Sequence, residues 1–442
     1  MNFLRKLVKA GRLAMLAFPV LVTGAAAQSV YGCVDLAGRH NMPSIEGLDG
    51  VFYRIDPDLH MFHSLSEESV ARLAALSRAL AANGTTLIYI PVPTRGLAMP
   101  DQLPQMARDY GFDVDLATTV YVDGVRRLRD AKVVTADVRR ALRFAAKEAP
   151  PFFATDPRLT PEGAEFMAGA IAMVIGQSQD FDAIPKSQFA TQTGAPVVLP
   201  SDMRSRLQRH CMINLPKVEA VSSVTLRTQA AAFGTDSSIF VEQNIIRVSN
   251  IALIGTGITG SPVSNLAGFL SQATGLDVVQ YSVQDGGSFA AMSSYLTSSA
   301  FRNAPPAYLV WTNPVDNNLA QYGDQPLREL TIAAAGNCPI SLQVSRGSDI
   351  NSLRIDLNGL DSRQPYSLYV DADGAQASQA RFDFVSRTGL VRRKTIIRNP
   401  EQVKTGRFYM PLSGLWQEGA TSVEILLDVP FGARTLVSAC LD

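Results

Sequence analysis

Hydrophobic positions in the first three quarters of the chain alternate between the spacing of buried strands and that of amphipathic helices. Ser64 and Glu67 predict a capping box, and apolar residues then recur at helical spacing until an Asn-Gly pair at 83–84. Thr160 precedes Pro161, which predicts another helix with Thr160 as its N-cap.

Apolar runs predict buried strands over residues 85–92, 132–137, 251–254, 277–283 and 307–311. Helical patterns lie near 118–129 and 263–274, whereas the polar stretch 177–200 predicts a surface excursion. Alternating strands and helices favour a mostly parallel sheet with helices on its faces. Active sites of such sheets lie at the carboxyl ends of the strands.

The hydrophobic period changes to two after about Gly336. Alternating segments separated by turn residues occur at 353–357, 367–371, 381–385, 408–412 and 423–427. This pattern predicts an antiparallel β-sandwich over residues 337–442, following an α/β domain over residues 28–330. We expect the boundary between them within 321–337.

The length of 442 residues also favours two domains. Lys and Arg together number 40, as do Asp and Glu, so the charge balance gives no indication of a nucleic-acid partner. Residues 1–27 combine basic residues, a short apolar run and Ala25-Ala-Ala27, which predicts a cleaved secretory signal. We expect no membrane span after cleavage.

Four cysteines in an exported chain indicate disulfide bridges. If each domain closes on itself, Cys33 pairs with Cys211 and Cys338 pairs with Cys440. Free or metal-binding thiols are the alternative, but no CxxC spacing supports a metal site. We therefore predict two bridges and no metal.

A glycine-rich turn follows the predicted strand at 251–254 and has the form GxGxxG from Gly255 to Gly260. One interpretation is a dinucleotide site, but no acidic residue ends the next strand at a suitable distance. We therefore expect no cofactor. The other interpretation is the nucleophile turn of an α/β hydrolase.

Four segments support the hydrolase interpretation: GLDGVFY at 47–53, TDPRLTPEG at 155–163, LIGTGIT at 253–259 and LVWTNP at 309–314. In this order they resemble the AlgX/AlgJ family of alginate O-acetylation proteins. The resemblance spans nearly the whole mature chain. It implies a periplasmic SGNH-hydrolase-like domain followed by a carbohydrate-binding sandwich, with an anionic or acetylated polysaccharide and other export or acetylation proteins as partners.

The resemblance also implies a degenerate catalytic triad. The family's aspartate falls on Asp156, its histidine on Arg158 and its serine on Gly257, while a glutamate frequent in the family falls on Thr312. Arginine stays protonated and cannot serve as a general base, and glycine has no side chain to attack with.

Other residues offer alternative chemistry at this position. Hydroxyl groups of Thr256, Thr259 and Ser261 lie beside Gly257 and are candidate nucleophiles or ligand-binding groups. The available imidazoles are those of His40, His60, His63 and His210, which we interpret as surface or structural groups. Asp156 and Arg158 could form a simple ion pair, or Arg158 could present a fixed positive charge to an anionic ligand.

Cationic residues cluster in the predicted sandwich, at Arg392, Arg393, Lys394, Arg398, Lys404 and Arg407. They form either a solvated face or a groove for an acidic polysaccharide, with Trp416 or Tyr409 as a stacking platform for sugar rings. We therefore expect a polymer-binding factor of exopolysaccharide biosynthesis without standard triad catalysis. The alternatives are an active O-acetyltransferase or esterase with a non-standard nucleophile, and a structural subunit that binds proteins.

Overall fold

The computed structural model describes residues 29–61, 65–231 and 250–441. The predicted signal segment, His63 and Ser64 lie outside these ranges. The helices are α1 Ile55–Asp58, α2 Glu67–Ala82, α3 Arg95–Ala98, α4 Val114–Asp130, α5 Val138–Ala145, α6 Pro161–Ile175, α7 Asp202–Gln208, α8 Leu266–Thr274, α9 Ala290–Leu296, α10 Ser299–Asn303 and α11 Gln325–Ala335. Within the described ranges no helix is long and apolar enough to cross a membrane.

The strands of the first half are β1 Ser44–Glu46, β2 Phe52–Arg54, β3 Thr86–Val92, β4 Val134–Thr135, β5 Gln188–Leu199, β6 Val218–Gln229, β7 Asn250–Thr256, β8 Asp277–Val283 and β9 Tyr308–Pro314. A five-stranded parallel sheet has the order β4-β3-β9-β7-β8. The predicted α/β sheet is thereby confirmed.

Both faces of this sheet are covered by helices because its strands are apolar on both sides. Ile88 and Leu253 face one layer, which contains α6 and α8. Leu87 and Ile254 face the other layer, which contains α2 and α11. The alternation of strand side chains distributes them between two cores.

Two helix starts illustrate how local sequence positions these elements. The Thr160 hydroxyl accepts a hydrogen bond from the Gly163 amide at 3.1 Å, as an N-cap does, so the predicted cap is confirmed. The N-cap of α2 is Ser66, whose hydroxyl accepts from the Ser69 amide at 3.1 Å. The capping box predicted from Ser64 is therefore wrong, because Ser66 takes the capping position.

The surface excursion predicted for 177–200 is confirmed, because most residues of this segment are exposed or half-buried, but the strand that it contains was not predicted. This segment contains β5, which pairs with β6 as a two-stranded antiparallel ribbon. The pairing register shifts between Thr193 and Pro196, which obscures the alternation in the sequence. The strand predicted over 132–137 is reduced to the two residues of β4.

The strands of the second half are β10 Ile340–Ser341, β11 Val344–Arg346, β12 Ser352–Asp356, β13 Tyr366–Asp371, β14 Gln379–Ser386, β15 Val391–Ile397, β16 Arg407–Pro411, β17 Ala420–Leu427 and β18 Leu436–Leu441. They form antiparallel sheets of order β10-β18-β13-β16 and β11-β12-β17-β14-β15. Phe382, Phe384 and Ile425 are buried between the sheets. The predicted sandwich is confirmed.

Disulfide bonds join Cys33 to Cys211 and Cys338 to Cys440, as predicted. The second bond lies in a core shared by both halves of the molecule, in which Tyr369 and Tyr409 of the sandwich pack with α11. Helix α11 occupies most of the segment in which we expected the domain boundary.

Candidate functional site

The carboxyl ends of β3, β7 and β9 meet at one edge of the parallel sheet, where the glycine-rich turn follows β7. The turn passes so close to β9 that a Cβ atom at Gly255 would overlap the hydroxyl groups of Thr259 and Thr312. At Gly257 the nearest atom to such a Cβ lies 3.3 Å away, on Gln284. A side chain at Gly257 therefore requires only a small shift of the Gln284 side chain, whereas one at Gly255 would overlap its neighbours.

The segment that carries Asp156 and Arg158 lies directly beside this turn. The Leu159 amide donates a hydrogen bond to the Ile258 carbonyl at 3.5 Å, and the Ser264 hydroxyl donates to the Leu159 carbonyl at 2.5 Å. Residues that are distant in the sequence are thus neighbours, as the hydrolase interpretation requires.

Asp156 and Arg158 form a bidentate ion pair. Arg158 Nε lies 2.7 Å from Asp156 Oδ1 and Nη2 lies 2.9 Å from Oδ2, and Nη2 also donates to the Pro200 carbonyl at 2.7 Å. The side chain of Asp156 is 5% exposed and that of Arg158 is 23% exposed. The ion-pair interpretation describes this geometry, and the pair is better shielded from water than a surface pair.

Arg95, which the sequence analysis missed, holds this segment in place. Its guanidinium is buried after β3 and donates to the backbone carbonyls of Phe153, Ala154 and Asp156. Burial lowers the pKa of Arg95, although the nearby Asp58 carboxylate opposes that effect. A proline-rich run ending in Thr94-Arg95 after a buried strand was the available signal.

A second group of charges lies next to Arg95. Arg54 makes a bidentate pair with Asp58, with nitrogen–oxygen distances of 2.7 and 3.0 Å. Burial disfavours the Asp58 carboxylate, but the Arg54 guanidinium outweighs this and lowers the pKa of Asp58.

Burial raises the pKa of Asp316, which follows β9, and His60 lies within electrostatic range of that carboxyl group. His60 is therefore near Asp316, which sequence reasoning did not anticipate.

The three hydroxyl groups proposed from sequence differ in accessibility. Thr259 is 2% exposed, and its Oγ1 lies 2.9 Å from that of Thr312, which donates to the Ile254 carbonyl. Ser261 is also buried, whereas Thr256 is half-buried. Thr259 and Ser261 are therefore unsuited to contact a ligand, because they pack inside the turn.

Three residues of the predicted polymer groove are corrected by the sandwich structure. Arg398 is 8% exposed and pairs with Glu329 of α11, so its charge does not reach the surface. Arg407 pairs with Asp371 at 2.8 Å. Tyr409 is buried and stacks on another tyrosine, so it offers no free face to a sugar ring.

The remaining groove residues are accessible. Arg392 is exposed, and its guanidinium carbon lies 4.9 Å from the centroid of the Trp416 ring. Trp416 lines a cavity of about 180 Å³ at one end of the sandwich. Lys394 projects to the same side of β15 as Arg392, and both it and Lys404 are partly exposed.

The chemistry available at the sheet edge follows from these contacts. A positioned carboxylate, fixed guanidinium groups and one partly exposed threonine hydroxyl are present, but Arg158 cannot accept a proton and Gly257 supplies no nucleophile. Within the described residues there is no group of three or more His, Cys, Asp or Glu side chains suited to a metal ion.

Comparison with known proteins places this geometry in a family. Residues 46–315 match the family described as "SGNH hydrolase-like domain, acetyltransferase AlgX". The chain is 28% identical over 277 residues to the alginate biosynthesis protein AlgX of Pseudomonas aeruginosa, and 26% identical over 273 residues to a probable alginate O-acetylase AlgJ of Pseudomonas putida. These matches cover 63% and 60% of this chain, and 56% and 68% of the relatives.

The solved structure of Pseudomonas aeruginosa AlgX has the same fold, with a TM-score of 0.75 at 22% sequence identity over 90% of this chain and 94% of that chain. The sequence match with AlgX itself spans little more than half of that relative's length. The family match covers more than half of the present chain. The chain therefore belongs to the AlgX family of SGNH hydrolase-like domains, as its sequence resemblance predicted.

Proposed function

We propose that the protein is an exported factor of exopolysaccharide biosynthesis that binds an alginate-like polymer during O-acetylation or secretion, without Ser-His-Asp catalysis. The observation that carries this proposal is the bidentate pair of Asp156 with Arg158 beside a glycine at position 257. In serine hydrolases, loss of the triad lowers turnover on the order of 10⁶-fold. A binding role is compatible with that loss.

Polymer contact is proposed for the accessible cationic surface of the sandwich, which consists of Arg392, Lys394, Lys404 and Trp416. Arginine recognises carboxylates with two hydrogen bonds, and an indole ring packs against the apolar face of a sugar. The stacking of Arg392 on Trp416 orients both groups before a ligand arrives. At the sheet edge the charge of Arg158 is balanced by Asp156, so its partly exposed guanidinium would contact a polymer as a hydrogen-bond donor and not as a net positive charge.

A periplasmic location is part of the proposal. Two disulfide bonds favour an oxidising compartment. The basic and apolar composition of residues 1–27 favours export through a cleaved signal.

Acetyl-ester turnover tests the absence of triad catalysis. The native mature protein is compared with Gly257→Ser/Arg158→His and with the control Gly257→Ala/Arg158→Gln, which changes the same positions without adding a nucleophile or base. We expect turnover only from the first variant, because it restores a nucleophile and a base, and a serine at position 257 requires only a small shift of the Gln284 side chain. Clear turnover by the native protein would contradict the proposal.

Binding of acetylated and de-acetylated alginate oligosaccharides tests the polymer-binding role. Arg392→Gln/Lys394→Gln should weaken binding by about tenfold or more, as expected for the loss of charge-assisted hydrogen bonds. Arg393→Gln is the matched control, because Arg393 lies on the opposite side of β15 and pairs with Asp383. Equal binding by all variants would exclude Arg392 and Lys394 as the contact, and absence of binding by the native protein would favour a structural subunit that contacts proteins.

One observation favours an active O-acetyltransferase or esterase as a second candidate function. His60 lies within electrostatic range of the Asp316 carboxyl group, which follows β9, and the half-buried Thr256 ends the neighbouring strand β7. An imidazole can serve as a general base near neutral pH. Native turnover that is lost in both His60→Gln and Thr256→Ala would support this function over the binding role.

A further inference from the structure

A cleft of about 330 Å³ lies at the carboxyl end of α7, beside the Cys33–Cys211 bond. We call it the α7 cleft. Its floor is apolar and consists of Leu36, Met42 and Leu207. The volume falls within the range of small-ligand sites, roughly 300–1,000 Å³.

The α7 cleft is rich in basic residues. Arg39, Arg206, Arg209, His40 and His210 are all among the residues that line it. Two of the chain's four histidines thus line the α7 cleft. No acidic side chain is among the described residues that line it.

Two of these three arginines are paired with aspartates, so the net positive charge at the cleft comes from Arg209. Arg39 pairs with Asp35 at 2.7 Å and Arg206 pairs with Asp202 at 2.7 Å. Both aspartates lie outside the lining of the cleft and are largely exposed. The exposed side chain of Arg209 makes no ion pair with any residue that the structure describes.

Stabilisation of α7 explains part of this arrangement, because cations near a helix carboxyl end interact favourably with its dipole. That explanation accounts for Arg206 and Arg209. It does not account for Arg39 and His40, which come from the other side of the disulfide bond and face the same hollow.

Helix α7 also connects the cleft to the candidate site. At its amino end the Ser201 hydroxyl donates to the Thr155 carbonyl at 3.0 Å, and the Pro200 carbonyl accepts from Arg158. Seven helical residues span about 10 Å. The cleft and the Asp156–Arg158 pair therefore lie at the two ends of one short helix.

We propose that the α7 cleft is a second anion site, which binds one carboxylated sugar unit. Guanidinium groups at the rim would hold the carboxylate, imidazole N–H groups would donate to the carboxylate or hydroxyl oxygens, and the apolar floor would contact the ring. The choice of a sugar acid rests on the proposed function, whereas the anion site rests on the cleft alone. A short oligosaccharide bound here would extend along α7 toward Arg158.

Calorimetric titration of the full mature protein with glucuronate tests this site, with glucose as the neutral analogue and sodium sulfate as the inorganic anion. The variants are Arg209→Gln and His210→Gln. Arg140→Gln is the control, because Arg140 is an exposed arginine of the same half of the molecule and lies on α5. The native protein and the three variants are first compared by circular dichroism and thermal melting.

We expect glucuronate to bind, glucose not to bind, and Arg209→Gln to weaken glucuronate binding by about tenfold or more while Arg140→Gln leaves it unchanged. His210→Gln should weaken binding by a smaller factor. Sulfate binding as tight as that of glucuronate would overturn the assignment of a sugar acid. Undetectable glucuronate binding, or equal binding by Arg209→Gln and native protein, would overturn the site itself.

This outcome is separable from that of the proposed function. The sandwich variant Arg392→Gln/Lys394→Gln leaves the α7 cleft intact and removes any contribution of the sandwich. In this background glucuronate should still bind, and the further substitution Arg209→Gln should still weaken that binding by about tenfold or more. Loss of glucuronate binding in that variant would place the sugar acid on the sandwich and overturn the cleft assignment.

Discussion

Replacement of Arg398 by methionine tests whether a buried ion pair joins the two halves of the molecule. Arg398 follows β15 of the sandwich, and its nitrogens lie 3.1 and 2.5 Å from the carboxylate oxygens of Glu329 on α11. The two side chains are 8% and 4% exposed. Glu329 also accepts a hydrogen bond from the Tyr409 amide at 3.3 Å. Arg398→Met leaves this carboxylate buried beside one remaining backbone donor.

The expected loss of unfolding free energy is about 3–5 kcal/mol, which is typical when one partner of a buried pair is removed. Arg393→Met is the matched control in β15. Arg393 makes a similar bidentate pair with Asp383, but its side chain is 59% exposed, so we expect little change. Arg398→Met/Glu329→Leu removes both buried charges and should recover much of the lost stability.

Urea unfolding followed by tryptophan fluorescence provides the assay, because the chain has two tryptophans. Trp311 is buried in β9 and Trp416 lies in the sandwich, so each half has its own reporter. A Trp416→Phe background isolates the signal of Trp311. Since the pair joins both halves, Arg398→Met should shift both transitions. The reasoning is refuted if Arg398→Met is no more destabilising than Arg393→Met.

Two further predictions concern the sheet edge. Burial raises the pKa of Asp316. The charged carboxylate therefore lowers the stability of the folded protein once the pH exceeds the acidic range. Asp316→Asn removes this charge and should raise the melting temperature at about pH 7.5. That gain in melting temperature should shrink as the pH falls, because the native carboxyl group becomes protonated. A gain that does not depend on pH would contradict the assigned effect of burial. Gly255→Ala should lower stability by about 1–3 kcal/mol in thermal melting, because its Cβ overlaps the hydroxyls of Thr259 and Thr312. Gly257→Ala is the control, because its methyl group requires only a small shift of the Gln284 side chain, and equal losses in both variants would contradict the steric argument.

Much of the fold is encoded locally and could be predicted. The strand β3 and the N-cap Thr160 depend on a few neighbouring residues, so periodicity and capping chemistry locate them closely. The ribbon strand β5 is different, because its partner β6 lies further along the chain and a register shift interrupts its alternation. A strand with mostly exposed residues gives a weak signal without its partner.

The candidate site shows the same division. Sequence resemblance selected Asp156, Arg158 and Gly257, and the structure brings them together. It gave no indication of Arg95 or Asp316, because their proximity results from the meeting of strand ends that are distant in sequence.

The amino-acid sequence by itself determined the alternating strands and helices of the first half, the β-sandwich of the second half, the cysteine pairing and the family. Only the tertiary structure decided which charges are available. Arg392 lies in β15 and Arg398 directly follows it, yet Arg392 is exposed and Arg398 is buried against Glu329. A side chain's intrinsic charge is a local property, whereas its exposure depends on what the rest of the chain packs against it.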